Sequence, residues 1–73
     1  MKNEEIVIDT PYITLQQALQ LTGEISTGGM AKMYLSEYTV LVNGEVDERR
    51  GRKLYPGDQL TLPEGGTYLI SSR

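Results

Sequence analysis

The stretch STGGMAKMYLSEYTVLVNGEV, residues 26–46, changes its hydrophobic period part-way along. Up to Tyr38 the apolar residues Ala31, Tyr34, Leu35 and Tyr38 recur at helical spacing. Beyond it Val40 and Val42 flank Leu41 in strict alternation, and Asn43-Gly44 supplies the two-residue turn whose left-handed angles suit a hairpin. The pattern predicts a helix over 27–37 followed by strands over 39–43 and 45–49. Ser26 or Thr27 is expected to cap that helix. Its first turn holds Gly28-Gly29, which lowers helix stability and needs a reason. Either the pair bares backbone N–H groups for an anion, or it relieves crowding in a tight helix–helix turn.

Upstream, Thr14 stands three residues before Gln17, a capping-box pattern that predicts a helix over 15–22. Leu15, Ala18 and Leu19 share one face of it, and Gly23 is placed to end it in a left-handed conformation. The β-branched run Ile6-Val7-Ile8, closed by Asp9, Thr10 and Pro11, predicts an N-terminal strand over about 5–8. Downstream, Pro56-Gly57-Asp58 forms a turn, residues 59–62 alternate, residues 63–66 turn again and a last strand covers about 67–70. Strand, helix, helix and then short strands make an α+β domain, two helices packed on one side of a small, mostly antiparallel sheet.

The 73 residues leave room for a single domain, 1–73, with a small core. At 38% hydrophobic and 23% charged the composition is that of an ordinary globular domain. No apolar run exceeds three residues, so no membrane span is expected, and no apolar leader follows the N-terminus, which argues against secretion. The chain has neither Cys nor His, which removes thiol chemistry, disulfides, the usual zinc ligands and the usual general base. No catalytic residue, metal or cofactor is expected, and a small monomeric binding module is the better class.

A net charge of −3 speaks mildly against a nucleic-acid partner. The distribution is uneven, however: one base and four acids lie in residues 1–31, and six of each in residues 32–73. Arg49, Arg50, Arg52 and Lys53 occupy four of five consecutive positions, so an acidic chain carries one local basic cluster.

Leu15 to Asp58 resembles the S4 domain, an RNA-binding module built on the αL motif and found in a ribosomal protein, pseudouridine synthases and a tRNA synthetase. A leucine opening the first helix and a glycine eight residues later are Leu15 and Gly23. The signature opening the second helix stands as Thr27-Gly28-Gly29-Met30-Ala31-Lys32, matching at Ala31 and Lys32 but lacking the first arginine. Val40-Leu41-Val42-Asn43-Gly44 and Pro56-Gly57-Asp58 match the hairpin and the closing turn at the family's spacing. The whole chain, with an S4 core over about 13–62, is similar to the short stand-alone bacterial S4-like proteins of the YaaA type.

The resemblance implies a cytoplasmic, non-catalytic module for structured RNA, ribosomal or tRNA-like, read by shape and backbone. Thr27, Gly28, Gly29, Lys32, Asn43, Arg49, Arg50, Arg52 and Lys53 are the expected RNA-binding residues. Thr14, Leu21 and Gly28 stand where many S4 domains carry bases, so binding is expected to have moved toward the loop after the hairpin. No aromatic platform stands at the spacing of an RNP motif, so stacking of that kind is not expected. The alternative is a protein-interaction module that kept the fold and lost RNA, with Met30 and Met33 as an adaptable contact face. In that case the basic run is a solvated loop compensating Glu45, Asp47 and Glu48. As a solvated loop it could lose all four basic side chains and leave the fold intact.

Overall fold

The computed structural model describes residues 3–63 and 66–73. Five strands form the main sheet, in the order β1-β7-β6-β3-β4. They are β1 (Asn3–Ile8), β3 (Leu41–Val42), β4 (Glu45–Val46), β6 (Gln59–Leu62) and β7 (Gly66–Ser72). All pairings are antiparallel except β1 with β7, which run parallel in the register Asn3↔Thr67 to Ile8↔Ser72. A second, two-stranded sheet pairs β2 (Ile13–Thr14) with β5 (Lys53–Leu54). Two short helices, α1 (Leu15–Leu21) and α2 (Ala31–Glu37), complete an α+β fold.

The alternation of the strands determines which side chains the helices meet. Ile6 and Ile8, Leu60 and Leu62, and Ile70 are buried, while Val7 and Leu69 between them are exposed. These residues form one core with Leu15, Ala18 and Leu19 of α1 and with Ala31 and Leu35 of α2. Val40 and Val42 are buried in it as the hairpin alternation requires, and Asn43 and Gly44 take positive φ at the tip.

Helix α1 is closed at both ends by the expected residues. The Thr14 hydroxyl accepts the Gln17 N–H and the Gln17 side chain accepts the Thr14 N–H, a complete capping box. At the other end the Gly23 N–H donates to Gln20 and the Glu24 N–H to Leu19, with Gly23 at φ 85°. That is a Schellman closure, made possible by the glycine.

Elsewhere the element bounds differ from expectation. The first helix stops at Leu21, with Thr22 as its C-cap, and the outer strands extend to 3–8 and 66–72. The second helix begins as a 3₁₀ turn, Gly28–Met30, before the α-helix proper, and Thr27 precedes that turn without a side-chain cap. Ser26 does not cap it either; its hydroxyl donates to the Met30 sulfur. The hairpin strands are 41–42 and 45–46, shorter than 39–43 and 45–49, because the chain turns away at Asp47. The β2–β5 sheet was not anticipated. The expected turn at 63–66 lies partly outside the described residues.

Candidate functional site

Asp47 organises the loop that carries the basic cluster. Its N–H donates to the Val40 carbonyl, and the residue is only 7% exposed. The carboxylate accepts the Arg49 backbone N–H at 2.9 Å, Arg49 Nε at 3.1 Å and Nη2 at 2.8 Å, and Arg52 Nη1 at 2.6 Å. Charge-assisted bonds of this number satisfy a buried carboxylate fully. The Arg49 guanidinium, helped by its backbone N–H and by Arg52, holds the Asp47 carboxyl well below the usual range despite opposing burial. The same contact raises the Arg49 pKa above its ordinary value.

The loop is also fastened to α1. The Leu15 N–H donates to the Arg52 carbonyl at 2.8 Å, and the Gln16 N–H to the Arg50 carbonyl at 2.9 Å. Two N–H groups that a helix start leaves without intrahelical partners are thereby satisfied by the basic loop itself. One residue on, Thr14 pairs with Lys53 in the β2–β5 ladder. Backbone bonds from the helix start and the small sheet thus hold residues 50–53 in place, and of their side chains Arg52 adds its bond to Asp47 while Arg50 and Lys53 are left out of that role.

The four cluster residues consequently fall into two pairs. Arg49 and Arg52 are committed to Asp47, although Arg49 keeps 72% of its side chain exposed. Arg50 and Lys53 are exposed and, among the described residues, neither has an ion pair. Lys53 Nζ instead sits 5.1 Å from the centroid of the Tyr12 ring. Replacing all four should therefore destabilise the fold, because it leaves a buried carboxylate with the Arg49 backbone N–H but without its guanidinium partners. The start of the second helix adjoins this loop through Gln16, since a Cβ at Gly28 would run into the Gln16 side-chain amide. Around Gly29 there is open space. Lys32 is exposed in the first turn of α2.

A family model for the S4 domain matches residues 6–71. The chain belongs to the S4 domain family. This S4 domain is 54% identical over 65 residues to the probable ribosome maturation protein RlbA of Bacillus subtilis (strain 168), covering 89% of this chain and 92% of the relative.

Not every residue singled out in the S4 motifs faces the same task. Asn43 uses both ends of its amide internally: Nδ2 donates to Asp58 at 3.0 Å and Oδ1 accepts the Gln59 N–H at 2.9 Å. It ties the hairpin tip to the Pro-Gly-Asp turn, where the other Asp58 oxygen accepts the Tyr55 N–H. The hairpin motif and the Pro-Gly-Asp turn are therefore one hydrogen-bonded unit. Met30 and Met33 are 45% and 68% exposed and line, with Tyr34, Tyr38, Glu24 and Glu37, a groove of about 380 Å³.

Two features of this surface escaped the sequence reading. Asp47 looked like one of three acids offsetting the bases, yet it is the buried hub; an aspartate two residues before an arginine, with its carboxylate on that residue's N–H, was the available signal. Tyr12 and Tyr55 meet with ring centroids 5.5 Å apart, a contact between residues too distant in the chain for any local pattern to reveal.

Proposed function

We propose that this S4 domain binds structured RNA through phosphate contacts from Arg50, Lys53 and Lys32, with Arg49 reinforcing them from its exposed edge. The observation that carries the proposal is the anchored basic loop: its backbone is fixed to α1 and to Asp47 while two cations stay exposed and, among the described residues, have no ion pair. A preorganised loop loses little entropy on binding, so a small number of phosphate contacts suffices for weak affinity. The N–H groups of Gly28 and Gly29 precede the first 3₁₀ bond, donated by Met30 to Thr27, and border the same surface through Gln16. They are proposed as further phosphate donors, with Thr27 beside them. Asn43 is left out of the contact set because both ends of its amide are tied to Asp58 and Gln59. The setting is ribosome maturation in the cytoplasm, supported by similarity to a relative bearing that name. Nothing in the proposal calls for a reaction, and the role is one of binding.

Titration of a labelled stem-loop RNA at increasing salt tests this. Two to four phosphate contacts predict affinity on the order of micromolar and a slope of log K against log salt of roughly −2 to −4. Arg50→Gln with Lys53→Gln should flatten the slope by about one to two units. Absence of salt-dependent RNA binding by the folded protein would overturn the proposal. A protein-partner role is then favoured by the groove at Met30 and Met33, whose Glu24 and Glu37 carboxylates repel phosphate.

A further inference from the structure

The fold assembles an aromatic surface beside the basic loop. Ile13 pairs with Leu54 in the antiparallel β2–β5 ladder, and one step further along the same register Tyr12 stands opposite Tyr55. Their rings lie 5.5 Å apart at 48°, a tilted arrangement within the range of favourable aromatic pairs. Neither ring is buried in the process: Tyr12 is 38% and Tyr55 48% exposed.

Both rings are held from behind. The Tyr55 N–H donates to the Asp58 carboxylate and the Asp58 N–H returns to the Tyr55 carbonyl, which locks the backbone under the ring. Tyr12 is backed by Lys53, whose ammonium lies over its ring, and the Thr10 hydroxyl donates to its carbonyl. Tyr55 also lines an open groove of about 680 Å³ with Arg49, Gly51, Arg52, Lys53 and Asp58. Asp58 is the acid in that lining, and both its oxygens already accept hydrogen bonds.

We infer that Tyr55, buttressed by Tyr12, is a stacking site for an unpaired nucleobase, whose flanking phosphates meet Lys53 and the loop arginines. The inference rests on the RNA-binding proposal and adds the part of the RNA that is recognised. A tyrosine face accepts any base, so the site distinguishes unstacked nucleotides from paired ones and does not select sequence. The preferred ligand is a helix carrying a bulge or a single-stranded extension, its duplex on the loop and its free base on the ring.

The test compares one RNA stem, blunt or with a two-nucleotide extension containing 2-aminopurine, by anisotropy and by 2-aminopurine fluorescence. Wild type should bind the extended RNA about tenfold more tightly than the blunt stem and quench the probe. Tyr55→Leu should abolish both the preference and the quenching while leaving blunt-stem affinity and its salt slope unchanged. Tyr55→Phe should retain both. Equal affinity of wild type for the two RNAs, or a preference that survives Tyr55→Leu, overturns the stacking site and leaves phosphate binding standing. Failure of wild type to bind either RNA overturns the RNA proposal itself. Thermal melting of each variant confirms that it is folded before it is titrated.

Discussion

The Gln16 N–H donates to the Arg50 carbonyl at 2.9 Å while the Arg50 side chain remains exposed. The Arg50 backbone thereby serves the fold while its side chain stays at the surface. The neighbouring bond from the Leu15 N–H holds the Arg52 carbonyl in the same way at the other end of the loop, where the Arg52 side chain is committed to Asp47. Because α1 needs partners for its first N–H groups, helix formation and loop placement depend on one another. A loop placed in this way presents its cations without having to order first.

Stability and RNA affinity should therefore separate within the basic cluster. Arg50→Gln with Lys53→Gln is expected to change stability by no more than about 0.5–1 kcal/mol, as for exposed substitutions generally. Arg52→Gln should cost about 2 kcal/mol, since it removes a charge-assisted bond to a buried carboxylate. Adding Arg49→Gln should destabilise further. Urea unfolding of the three variants beside their RNA titrations checks the division. Equal stability loss in both pairs would mean that Asp47 does not distinguish them.

Asp47 should dominate the acid limb of stability. Its carboxyl titrates lower in the folded chain than the ordinary value near 3.9, so folding favours the ionised form. That contribution is complete above the ordinary value and is lost as pH falls through it toward the lower folded value. Wild type should thus lose stability steadily between about pH 4 and pH 2. Asp47→Asn should be less stable at pH 6 and show a flatter dependence over the acid range. Urea midpoints at pH 6, 4, 3 and 2.5 measure this, and parallel curves for the two proteins would contradict it.

Helix α1 was legible because its ends are local: Thr14 with Gln17, and Gly23, act within six residues of the elements they close. The Asn43-Gly44 tip was legible for the same reason. The β2–β5 sheet was not, because two residues cannot establish a period and the partners lie 41 and 39 apart in the chain. The strand expected over 45–49 failed at Asp47, where burial and two arginines outweigh alternation, and burial is not written in a run of charges. The basic loop is a candidate from its four bases in five positions together with the S4 resemblance. Which of its four cations is free could only come from the fold.

The two glycines of the 3₁₀ turn should behave differently. Gly29 faces open space at an unstrained φ, so Gly29→Ala should stabilise by about 0.5 kcal/mol through the unfolded chain. Gly28→Ala must displace the Gln16 amide, and a Gln16→Ala background should relieve it, giving a coupling of about 0.5–1 kcal/mol in a double-mutant cycle. Gly29→Asp carries the charge test without the clash: it should weaken RNA binding several-fold while Gly29→Ala leaves it unchanged. Equal RNA affinity in the two Gly29 variants would confine the pair to packing.

Asn43 should prove to be a structural residue. Its φ of 54° is a conformation that asparagine tolerates and alanine does not, and its amide bridges Asp58 and the Gln59 N–H across the hairpin and the turn. Asn43→Ala loses two hydrogen bonds and adds backbone strain, together about 2 kcal/mol. For a chain of this length that corresponds to a fall in melting temperature of roughly 10 °C. Asn43→Asp should also destabilise, because it replaces the donor to Asp58 with a second carboxylate. Asn43→Gly keeps the backbone freedom and should cost less than alanine, which isolates the strain from the lost bonds. At a temperature where all three variants remain folded, RNA affinity should match wild type, since the tie lies in the scaffold and not among the free cations. A loss of RNA affinity in Asn43→Gly without a loss of stability would move Asn43 into the binding surface.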